Sequence, residues 1–136
     1  MNCMIKAFAE ALKCTEFELV KEIGHDGCEI WWPELAHPVN MRGFNIMEFM
    51  WPCMHRGYAP VLLDYSPGIG TRDDFRKIWD KEKEERRLEY FMHNRKAVIL
   101  GISQSGMPHA VYWDGRKSDK LKDYHQVLVL VKRHLI

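Results

Sequence analysis

The chain has almost no net charge. Its 20 Lys and Arg against 19 Asp and Glu leave a formal +1 at pH 7, so no strong long-range field draws it to nucleic acid. Long hydrophobic runs are absent too. No stretch approaches the length of a membrane span, and the start MNCMIKAFAEALK has no signal-peptide cleavage signature. There is no phosphate loop, no dinucleotide fingerprint and no RNA-binding aromatic motif. Repeats, low-complexity linkers and breaks in composition are also missing, so the 136 residues read as one domain. Cysteines are few: Cys3, Cys14, Cys28 and Cys53. Without an export signal they predict reduced thiols in the cytoplasm rather than a disulfide framework.

What is present is enough for a core. Hydrophobic residues make up 46% and charged residues 29%, a balance that excludes disorder. Eight Met and five Trp supply adaptable and bulky core filling, and leave self-association open. Met4, Ala7, Phe8, Ala11 and Leu12 recur at helical spacing, and Asn2 is placed to cap a helix over 3–13. Thr15 and Glu18 form a capping box ahead of a second helix that stops at Gly24. Residues 25–40 read as irregular, broken by Gly27, Pro33 and Pro38. Asn45 caps a further helical pattern (Ile46, Phe49, Met50, Cys53) that Pro52 should kink or split near Trp51.

A strand is predicted over 60–65, then a highly charged helix over 71–94. That helix carries opposite charges four apart, such as Asp73/Lys77 and Glu82/Arg86, and reads as a solvated insertion between strands. The period then becomes strand-like. Strands are predicted over 97–102, 109–113 and 126–131, with a turn at Ser105-Gly106 and a hairpin signal at Asp114-Gly115. Helices first and antiparallel strands last make the class α+β.

The residue with the most chemical promise is Cys3. A cysteine in a helix's first turn feels the positive end of the helix dipole, which favours the nucleophilic thiolate. Such a nucleophile needs a base. His109 enters an apolar strand after the turn at 104–108, where an imidazole can meet a helix N-terminus.

Several segments together carry a resemblance. They are Asn2-Cys3-Met4-Ile5 with Ala7-Phe8-Ala9, Gly24-His25-Asp26-Gly27 with Glu29, Trp32-Pro33, Arg42-Gly43-Phe44, and His109-Ala110-Val111-Tyr112-Trp113-Asp114-Gly115. The chain resembles a papain-like group of cysteine peptidases, similar to the bacteriocin double-glycine leader peptidases in a compact, phage-type version. The resemblance covers most of the chain outside 71–94. It implies a papain-like α+β fold: an N-terminal Cys-bearing helix and further helices packed on a C-terminal antiparallel sheet of about four strands. It implies Cys3 as nucleophile and His109 as base, acting on an amide or isopeptide bond of a peptide or protein, with no metal or organic cofactor. An Asp after the His-bearing hairpin would orient the imidazole. Asp119 matches that place, with Asp123 as rival, and strand register decides between them. Asp114 is read as a turn residue.

One departure stands out. Relatives usually carry a Gln several residues before the cysteine as an oxyanion donor, and here only Met1 and Asn2 precede Cys3. Removing one such donor costs about 10²–10³ in rate in known hydrolases. Asn2 and Gln104 are the substitutes at hand. The departure motivates a second expectation, a weak or inactive phage-derived binding protein on the same scaffold that grips a host protein. Two further clusters compete for function. His25, Cys28, Cys53 and His55 have zinc-ligand residue types at short spacings, against ordinary packing. Trp31, Trp32 and Trp51 would line a groove or simply pack.

Overall fold

The computed structural model describes residues 3–37, 40–64 and 81–133, with backbone alone for 81–85. The first helix, α1 (Cys3–Leu12), buries Ile5, Ala7, Phe8, Ala9, Ala11 and Leu12, the stripe that a 3.6-residue period places on one side. It stops where Lys13 takes a positive φ of 54°. Lys96 Nζ then donates to the Ala11 carbonyl at 3.0 Å, a cation where the helix dipole is negative.

Helix α2 (Glu16–Ile23) begins as expected. The Thr15 hydroxyl accepts from the Glu18 N–H at 3.1 Å, and Gly24 closes the helix in the left-handed region at φ 97°. Asn45 likewise caps a 3₁₀ turn, Ile46–Phe49, by accepting from the Met47 N–H at 2.9 Å. Helix α3 (Met50–His55) follows directly. The break in this helical pattern was expected near Trp51. It lies earlier, between Phe49 and Met50, so Pro52 falls in the first turn of α3 where its missing N–H costs nothing.

Among the described residues the sheet has four strands, β1 (Tyr58–Asp64), β2 (Lys96–Ser103), β3 (Pro108–Trp113) and β4 (Leu121–Lys132), in the order β1-β4-β2-β3 with every neighbour antiparallel. The α+β class and the antiparallel sheet are as the sequence predicts. The hairpin expected at Asp114-Gly115 is not. β3 and β4 flank β2 on opposite sides, so residues 114–120 form a crossover and not a tight turn. The turn at Ser105-Gly106 does close a hairpin: Ser103 N–H donates to Met107 O at 2.8 Å and Gly106 N–H to Ser103 O at 2.9 Å, with Gly106 at φ 87°. β4 also starts earlier than the predicted 126, because polar residues such as Lys122 and Asp123 mask its first half.

Both faces of the sheet are covered. On one, Val98, Ala110, Leu128 and Leu130 pack with α1, Leu19, Phe49 and Cys53. Phe8 and Phe49 stack there with centroids 4.1 Å apart and planes 6° from parallel. On the other, Ala97, Ile99, Val111, Val127 and Val129 meet Leu88 and Met92 of helix α4 (Lys81–Met92). The expected 71–94 helix is therefore described only from Lys81. Its residues 71–80, with Asp73/Lys77, lie outside the described residues, as do the side chains of Lys81, Glu82 and Glu85. Where it is described, the helix is not a purely solvated arm. Its last turns seal the second sheet face, and Trp113 Nε1 donates to Met92 O at 3.0 Å. No helix among the described residues is long and apolar enough to cross a membrane.

A bulge in the β2–β4 ladder shifts register between Leu100 and Gly101. A Cβ on Gly101 would sit 1.9 Å from the Asp123 carbonyl oxygen, so only glycine fits without moving backbone. Gly101→Ala is expected to lower unfolding stability by about 1–3 kcal/mol in a urea titration. An unchanged midpoint would contradict the bulge.

Candidate active site between the first helix and the sheet edge

Three pieces of chain enclose one open cavity of about 390 Å³. The first wall is a flank of α1: Cys3, Lys6, Ala7 and Glu10 fall at i, i+3, i+4 and i+7, one stripe of a helix. The floor is β3 from His109 to Tyr112. The far wall is the crossover, through Asp114, Lys117, Ser118 and Asp119.

The crossover is shaped by Asp114. Its Oδ1 accepts from the N–H groups of Arg116 and Lys117, both at 2.9 Å, while its own N–H donates to Lys117 O at 3.1 Å. The bond from the Lys117 N–H, then that from Arg116, holds the Asp114 carboxyl below the usual aspartate range. Asp114 is thus a turn residue, as expected, although of a crossover. Gly115 at φ 105° ties the same loop to α4's end, its carbonyl accepting from Asn94 N–H at 2.8 Å. Burial pushes the Tyr112 phenol up, with Asp114 next in effect, then Tyr58 and Glu10. It stays neutral at the cavity floor.

Cys3, His109 and Asp119 therefore line one cavity. Asp123 is not part of that lining. It lies on β4 opposite Ile102, and its Oδ1 accepts from Tyr124 N–H at 3.0 Å. The three lining residues share a cavity without touching in the way a triad does. Among the described residues no hydrogen bond joins Cys3 to His109 or His109 to Asp119. Strand alternation gives the reason. Ala110 and Tyr112 face α1, while Val111 and Trp113 face α4, and His109 shares the row of Val111. His109 is half-buried and contributes to the cavity lining from that other row.

Burial pushes Cys53 up to about 12, and also raises Cys14. Cys28 is exposed. All four are free thiols, as expected.

The rival zinc cluster does not assemble. His25 is spent locally: Gly27 N–H donates to its Nδ1 at 3.0 Å, so its Nε2 proton goes to Glu48 Oε2 at 2.5 Å, and its ring stacks on Phe44. His55 packs edge-on to Trp51 and lies 3.5 Å from Glu22. Among the described residues no three potential ligands converge on a metal position. The tryptophans do not line the cavity either. Trp31, Trp32 and Trp51 are exposed, with Arg42 stacked over Trp31 at 4.9 Å. Of the two substitutes for the oxyanion Gln, Asn2 lies outside the described residues and Gln104 is not in the cavity lining.

No family model, curated protein or solved structure matches this chain. The site rests on its own geometry. Sequence reasoning overlooked Lys6, Glu10, Tyr112, Lys117 and Ser118. The first two were within reach, since they repeat the helical spacing of Cys3.

Two outcomes test this geometry. In the folded chain Cys53 is expected to resist alkylation at neutral pH and to react only on unfolding, read by peptide mapping. Asp114, with its carboxyl held low, keeps the loop bonds above the ordinary aspartate value of about 3.9 and loses them as pH falls through its own lower value. The amide shifts of Arg116 and Lys117 are expected to titrate below that ordinary value. A midpoint at or above it would mean the bonds are not formed.

Proposed function

We propose that the chain is a thiol-dependent hydrolase of the papain-like kind, acting on an amide or isopeptide bond of a peptide or protein. One observation carries this reading: Cys3, on the first turn of α1, shares an open cavity with His109 and Asp119. The Cys3 sulfur attacks the carbonyl carbon as His109 takes the thiol proton. The tetrahedral intermediate then expels the amine, which receives that proton, and water hydrolyses the thioester. Asp119 orients the imidazole. The chemistry calls for no metal or organic cofactor. A reducing compartment, the cytoplasm, suits a free catalytic thiol. A near-neutral chain gives nucleic acid little hold.

A second reading has its own observation. No hydrogen bond joins Cys3 and His109 among the described residues, which favours a binding protein of this shape that engages a host protein, with little or no turnover. Iodoacetamide labelling separates the two. For a hydrolase, Cys3 is expected to react at least about tenfold faster than exposed Cys28, and His109→Ala to erase the difference. Equal rates, unmoved by that substitution, would favour the binding protein.

A further inference from the structure

The sheet has two edges, and they are finished differently. β1 carries Pro60 inside the strand, opposite Leu130. A proline in an edge strand withholds a donor and blunts pairing with another chain. β3, the other edge, has its only proline at its first residue, Pro108, and carries Ala-Val-Tyr-Trp beyond His109 with no charge and no bulge in its pairing to β2.

The hairpin sets which of its backbone groups point outward. Ser103 N–H donates to Met107 O, so 103 and 107 form a hydrogen-bonded pair. In an antiparallel ladder such pairs alternate. With the unbroken register 101/109, 99/111 and 97/113, the N–H and C=O of His109, Val111 and Trp113 point to β2. Those of Ala110 and Tyr112 point out. Pro108, which has no N–H, falls in the outward set, as this parity requires. Among the described residues β3 pairs with β2 alone, so the outward N–H groups of Ala110 and Tyr112 meet no ladder partner.

That open edge is the floor of the cavity holding Cys3. Its walls carry both charge signs, Lys6 and Lys117 against Glu10, Asp114 and Asp119. A single-sign ligand such as a phosphate chain gains little from such walls. A strand-shaped peptide gains from the floor, because main-chain groups repeat at the spacing of Ala110 and Tyr112.

We infer that the outer edge of β3 is a docking rail for an extended peptide, which adds to the sheet as a fifth strand through the N–H and C=O groups of Ala110 and Tyr112 and passes Cys3. The inference rests on the cavity being the working cleft, and holds whether or not the bound segment is cleaved.

The test uses the full chain carrying Cys3→Ser, which removes turnover and leaves the rail intact. A display library of random ten-residue peptides is panned against it, and the selected peptides are synthesised. In the free protein the amides of Ala110 and Tyr112 are expected to exchange quickly, and those of His109 and Val111 slowly. A selected peptide is expected to slow exchange at Ala110 and Tyr112 at least about tenfold, and to lose about tenfold in affinity when N-methylated at alternate residues of one parity only. Failure to select any peptide, or N-methylation that acts equally at both parities, overturns the inference. So does protection of Ala110 and Tyr112 that grows with protein concentration alone, since a second copy then occupies the edge. Thiol labelling of the unsubstituted chain reads the hydrolase proposal separately, so the two can fail independently.

Discussion

Packing of α1 onto β3 and β2 is the constraint from which the site follows. The helix buries Ile5, Phe8 and Leu12 with Ala7 and Ala11 against Val98, Ala110 and Leu128. Small alanines bring its axis close, and the Phe8–Phe49 stack ties it to the 3₁₀ turn. Once that stripe faces the sheet, the next stripe round, Cys3, Lys6 and Glu10, has nowhere to point except along the flank above the β3 edge. The cavity is thus a by-product of how the core closes, and the same burial that stabilises the fold aims the thiol.

The second sheet face explains why the edge can stay open at one side. α4 covers Ile99, Val111 and Val129 with Leu88 and Met92, so β3 is packed on both faces while its outer edge pairs with no strand among the described residues. The crossover 114–120 then returns the chain from the end of β3 to the start of β4. Tethered by Asp114 and Gly115, it brings Lys117, Ser118 and Asp119 to the cavity as a wall. A tight hairpin at Asp114-Gly115 would have paired the edge and removed the cleft.

Much of the fold was legible because it depends on local chemistry. Thr15 with Glu18, Asn45 and Gly24 each satisfy backbone groups within a few residues of themselves, and each sits where its side-chain chemistry predicts. The misplacements share a physical origin. Pro52 signals a break, yet where a helix divides is set by what Phe49 buries. Asp114-Gly115 signals a turn, yet whether the strands it joins become neighbours is decided by a competitor, here β4 pairing with β1 and β2. The first half of β4 is polar and invisible to an apolar-run criterion, and its pairing with β2 makes it a strand regardless.

The sequence by itself determined the first two helices, the caps at Thr15, Gly24 and Asn45, the apolar strands and the presence of a helix-terminal cysteine, because these arise from side chains acting on backbone within a few residues, while the cap expected of Asn2 lies outside the described residues. Only the tertiary structure decided that β3 lies at an edge, that Cys3, His109 and Asp119 share one cavity while His109 stands on the far row of its strand, and that His25 is spent on Glu48. These depend on strand order and register, which are selected by burial summed over residues distant in sequence. Shifting register by one position turns every side chain to the other face.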